Sequence, residues 1–77
     1  MKIISKELYK EKLIECINSE YGGVNSLKPG YTMNDGELIN HMYKELARIC
    51  NPAPNEVNQL IEMNREMFKV CRNEIVS

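Results

Sequence analysis

Apolar residues recur at three- and four-residue spacing in three stretches of the chain, and each stretch predicts an amphipathic helix. The first runs from about Lys6 to Tyr21, after a Ser5 suited to cap it and before Gly22-Gly23, which tolerate the left-handed turn that ends a helix. On a helical wheel Tyr9, Leu13, Ile14, Cys16, Ile17 and Tyr21 fall within an arc of roughly 160°, with Glu11, Glu15 and Asn18 facing away. The second begins where Thr32 with Asp35, and Asn34 with Glu37, each set a capping residue three positions before an acid. Leu38, Ile39, Met42, Tyr43, Leu46, Ala47, Ile49 and Cys50 form its apolar face, opposite Glu37, Asn40, Lys44 and Arg48. Asn51-Pro52-Ala53-Pro54 stops it, because a residue before proline is pushed out of helical geometry. Pro54 then suits the first position of a third helix reaching about Val76, with Val57, Leu60, Ile61, Met63, Met67, Phe68, Val70, Cys71 and Ile75 on a wide stripe. The fold class is therefore all-α, a small three-helix bundle in one domain over residues 1–77, with a long C-terminal helix. A Gly/Pro-containing loop joins helices one and two.

The third helix spans roughly 33 Å at 1.5 Å per residue and the first about 24 Å, so Val70, Ile75 and Val76 threaten to overhang. Either Ile3 and Ile4 fold back over them or another chain covers them; the second reading is preferred here. Asn64 bears on this choice, since it sits inside the apolar stripe with Val57, Leu60, Met67 and Cys71 at coiled-coil spacing. A buried Asn on such a seam costs stability and fixes register. The seam predicts a homodimer through Asn64, Met67, Cys71 and Ile75, whose Asn64→Leu or Asn64→Val variants gain thermal stability. The other reading has Asn64 bonding to a neighbouring backbone inside the monomer, in which case those variants lose it.

Composition narrows the class. Ten Lys and Arg against eleven Asp and Glu give a net charge of −1, without the basic excess of a nucleic-acid or membrane-surface protein. No apolar run approaches the ~18 residues of a membrane span, and the start of the chain lacks the ~7–15-residue apolar core of a signal peptide. The expectation is a cytoplasmic chain with no membrane association. Cys16, Cys50 and Cys71 are odd in number and widely spaced, which predicts reduced, buried thiols rather than disulfides.

The stretch from Glu45 to Ile61, ELARICNPAPNEVNQLI, resembles the core of a helix-turn-helix. Leu46 and Ala47 supply the apolar and small residues, Asn51 the left-handed turn, and Val57 and Leu60 the packing of the second helix. The resemblance implies a DNA-reading helix with Asn55, Asn58 and Gln59 at base edges and Lys44 and Arg48 on phosphates. Pro52 and Ala53 depart from the motif, and residues 54–64 hold Glu56 and Glu62 with no Lys or Arg to hold the backbone. A plain helical hairpin is the preferred reading. A ribbon-helix-helix, with Gly30–Thr32 as its strand, is a further one.

Other chemistry is sparse. In the loop GGVNSLKPGYT, Lys28-Pro29-Gly30-Tyr31 fits a type II turn that displays Lys28 and Tyr31 together. His41 has Glu37 and Glu45 one turn away on either side, read as a solvated ion pair rather than a metal site. No nucleophile–base pair or phosphate-cradling motif occurs, so no enzyme and no cofactor are expected. The leading functional expectation is a binding module that occupies a partner protein through Lys28, Tyr31, His41, Lys44 and Arg48. The Lys-, Asn-, Ile- and Glu-rich composition suits a phage or mobile-element inhibitor of a host enzyme or defence system. The alternatives are a helix-turn-helix regulator and an oligomer that sequesters a small nucleotide near Lys28.

Overall fold

Helix α1 spans Lys6–Tyr21, α2 Asp35–Cys50 and α3 Val57–Val76, in a computed structural model that describes residues 1–21 and 35–76. Lys28, Tyr31 and the strand and turn expected around them lie outside the described residues, as do the Thr32 and Asn34 caps. No strand occurs among the described residues.

Each boundary has a local cause. Ser5 caps α1 as its sequence position predicts, its Oγ accepting the Leu8 N–H at 3.1 Å. Asn51 ends α2 in the left-handed region at φ 50°, its N–H donating to the Ala47 carbonyl at 3.1 Å. That single bond from the residue past the cap satisfies a carbonyl the helix would otherwise leave open. Asn51→Ala is expected to lower stability by about 1 kcal/mol, because alanine has the same Cβ clash in the left-handed region without the short polar side chain that eases it by local hydrogen bonding. Asn51→Gly should be neutral or better, and urea denaturation of the two variants checks both.

The third helix departs from expectation at its start. Pro54–Glu56 form a 3₁₀ turn, and the α-helix begins only at Val57. Ala53 cannot cap with its side chain, so Glu56 closes the turn instead. The Glu56 N–H donates to the Ala53 carbonyl at 2.8 Å, while Glu56 Oε1 accepts the Ala53 N–H at 2.9 Å. Both bonds link residues three apart, which selects the tighter helix.

α2 and α3 form an antiparallel hairpin that stays closed along its length. Residues 51–56 join the two helices at one end, Asn64 Nδ2 bonds the Ile39 carbonyl at 3.1 Å, and Arg72 Nε meets Asp35 Oδ1 at 2.9 Å. α1 packs across both. The core takes Tyr9, Leu13 and Ile17 from α1, Leu38, Met42, Leu46 and Cys50 from α2, and Leu60, Phe68 and Cys71 from α3. Four-residue spacing along α1 and α2 puts these residues on one stripe each. Ile4 joins them from the N-terminal segment, while Ile3 points outward.

The overhang expected of α3 does not arise at Ile75, which is covered. Its last turns are held by the first turns of the other two helices. Glu74 bonds Lys6 at 2.6 Å and Lys10 at 3.3 Å, Arg72 bonds Asp35, and Ile75 packs on the core. The N-terminal segment lies at the opposite end of α3, with the Lys2 N–H on the Cys50 carbonyl at 3.0 Å and the Met1 ammonium on Glu56 at 3.0 Å. Val70 is left 45% exposed.

Candidate interaction surface

Asn64 bonds within the monomer, as the second reading of its position has it. It is only 4% exposed and lies where the three helices meet. The Tyr9 hydroxyl donates to Asn64 Oδ1 at 2.6 Å, and Asn64 Nδ2 donates to α2 at the Ile39 carbonyl. Burial pushes the Tyr9 phenol far above its ordinary value, so it remains a neutral donor. Cys71 is fully buried, with its Sγ against the Lys6 carbonyl at 3.9 Å. Asn64 and Cys71 are thus buried within the monomer, and Met67 and Ile75 are half-buried against the same core. Helical periodicity marks a buried face without saying what buries it.

The three cysteines carry no disulfide. Burial raises the Cys50 and Cys71 thiols above their ordinary value, which keeps them protonated and unreactive. No group of three or more His, Cys, Asp or Glu able to hold a metal occurs among the described residues. No described helix is long and apolar enough to cross a membrane.

The helix-turn-helix resemblance is local only. Its turn chemistry is present at Asn51, but two helices of that motif diverge at roughly 90–120° and leave their far ends well apart. Here the far ends are joined by the Arg72–Asp35 ion pair. The pair is an ordinary hairpin, and the apolar side chains that the motif shares with it are used to close it. Asn55, Asn58 and Gln59 stand exposed at the start of α3, beside Glu56, which is occupied with the Met1 ammonium and the Ala53 amide.

His41, Lys44 and Arg48 stand exposed on the outer face of α2, away from the Leu38–Met42–Leu46–Cys50 stripe. Arg48 forms an ion pair with Glu45 one turn back. The three side chains are presented by a helix fixed on both sides, by α1 and by α3, so their backbone spacing is rigid.

A second feature went unseen in the sequence. Between α2 and α3, on the side away from α1, lies an open groove of about 640 Å³. Ile39 and Tyr43 of α2 and Ile61 of α3 make its floor, all half-buried, and Glu37, Asn40 and Arg65 stand at its rim. A hollow of about 440 Å³ continues it past Phe68 towards Lys69 and Arg72. Ile39, Tyr43 and Ile61 flank the core stripes, and on a wheel they look like core.

Charge pairs hold the α1–α3 end together. Hydrogen bonding to Lys6, and then to Lys10, holds the Glu74 carboxyl below its ordinary value of 4.5. The Ala53 amide and then the Met1 ammonium do the same for Glu56. A carboxylate whose folded value is lowered adds stability that is present above the ordinary value and lost as pH falls through the folded one. The melting temperature is therefore expected to hold from neutral pH to about 5 and to fall below about 4.5. Glu74→Gln should flatten that fall, as thermal denaturation across the range would show.

No protein family, curated protein or solved structure matches the chain.

Proposed function

We propose that this chain is a non-enzymatic binding module that acts by occupying a partner protein, in the manner of phage or mobile-element inhibitors of host enzymes and defence systems. The observation that supports it is the outer face of α2. His41, Lys44 and Arg48 stand exposed there on a helix braced by two others, and the core beneath does not depend on them. A rigid polar face on a small scaffold loses little conformational freedom on docking, which favours binding without any chemistry. Near-neutral net charge suits a protein partner better than the phosphate backbone of a nucleic acid.

A tagged pull-down from bacterial lysate, divided into nuclease-treated and untreated halves, tests the reading. A stoichiometric protein that survives nuclease, and that is lost with a Lys44→Glu/Arg48→Glu variant, is the expected result. Nucleic acid in the untreated half, with every partner lost after digestion, would replace this reading with DNA binding. Undiminished capture by the double variant would move the contact off α2.

A further inference from the structure

We propose that the groove between α2 and α3 seats a second copy of this chain, with two α2–α3 hairpins stacked face to face as a four-helix core. The homodimer expected through Asn64 and Cys71 finds little surface at those residues, because both are buried within the monomer and only Asn64 reaches the groove wall. The groove is an apolar surface that the described residues leave open. Its floor is aliphatic and aromatic, from Ile39, Tyr43 and Ile61, and Ile61 lies outside the set of residues packed on the core. A chain of 77 residues has a small core, and burying such a floor against an identical one is a common remedy.

Charge at the rim selects both the occupant and its orientation. Glu37 on the α2 wall and Arg65 on the α3 wall line the same groove at neighbouring levels of the antiparallel pair. A two-fold axis along the helices lays each α2 over the α3 of the other copy. Glu37 of one copy then faces Arg65 of the other, twice, while Ile39, Tyr43 and Ile61 meet their equivalents across the axis. A two-fold axis across the helices sets α2 on α2 and does not bring Glu37 to Arg65, which keeps only Glu62 of its own helix at 3.1 Å. Patches related by a two-fold must complement themselves, and this one does in the first arrangement. Around α2, Lys44, Arg48 and His41 lie about 100° or more from Tyr43, and of the groove residues only Glu37, in the first turn, reaches round to their side. The inference therefore does not rest on the function proposed for that face.

Sedimentation equilibrium on the full chain at micromolar concentration tests it. The expected mass is twice 8.9 kDa. Ile61→Glu should return the monomer mass with the helical circular dichroism unchanged. Glu37→Arg and Arg65→Glu, both at exposed positions, should each weaken the dimer about tenfold by placing like charges together twice. The double variant should recover wild-type affinity, and this comparison stands even where Ile61→Glu fails to fold. A monomer throughout the concentration range would overturn the proposal. So would a dimer indifferent to Ile61→Glu and to both reversals, or a double variant that recovers nothing.

Discussion

Leu46→Ala is expected to cost about 2–5 kcal/mol and to leave much of the chain unfolded at physiological temperature. Leu46 is fully buried, on the α2 stripe between Met42 and Cys50 and covered by the other helices. Shortening it removes apolar contact and leaves a cavity that rigid helices on either side cannot close. A core this small supplies only about 3–5 kcal/mol in net stability, so one such cavity consumes most of the margin. Thermal denaturation followed by circular dichroism should show the midpoint falling by about 10–25 °C. A fall of only a few degrees would mean that the helices collapse onto the space, and that the bundle is less rigidly braced than its contacts indicate.

The second large effect concerns Asn64. Asn64→Leu takes from the buried Tyr9 hydroxyl the nearer of its two acceptors, leaving the Asn64 backbone carbonyl at 3.3 Å, and removes the bond to the Ile39 carbonyl. Losing two buried hydrogen bonds costs about 1–3 kcal/mol, and the branched side chain must also fit a space shaped for an amide. The midpoint should fall by about 5–20 °C with no change in molar mass. This is opposite in sign to what a dimer seam implies, where the apolar substitution stabilises. The control is Tyr9→Phe combined with Asn64→Leu. With both partners apolar nothing is left unsatisfied, and much of the loss should return. If the double variant is no better than Asn64→Leu alone, steric misfit and not the lost bond dominates at this site.

Most of the fold was legible because its boundaries are set by local chemistry. Ser5 and Asn51 act through bonds to residues three and four positions away, so neighbouring letters suffice to read them. The 3₁₀ turn at Pro54 was harder, since it depends on Glu56 folding back where Ala53 offers no cap. What covers Asn64 was not legible at all: its partner Tyr9 is 55 positions away, and no periodicity along α3 encodes that distance. The groove escaped for the converse reason. Ile39, Tyr43 and Ile61 carry the same letters as core residues, and only the positions of three helices show that one side stays open. Of the residues expected to meet a partner, His41, Lys44 and Arg48 were identifiable as outward because they oppose a regular apolar stripe.

The hairpin and its third helix also imply an order of events. α2 and α3 are neighbours in sequence joined by a short turn, so their pairing closes a small loop and needs little chain entropy. α1 reaches its place through its packing on α2 and through contacts such as Tyr9–Asn64 and Lys6–Glu74, between residues more than fifty positions apart. Folding should therefore nucleate in the hairpin and finish with α1 docking, and opening should run in reverse. Native-state hydrogen exchange would show it as an α1 whose amides exchange before those of α2 and α3. The Asn64 side chain, with one bond to each neighbouring helix, marks the moment at which the last of the three arrives.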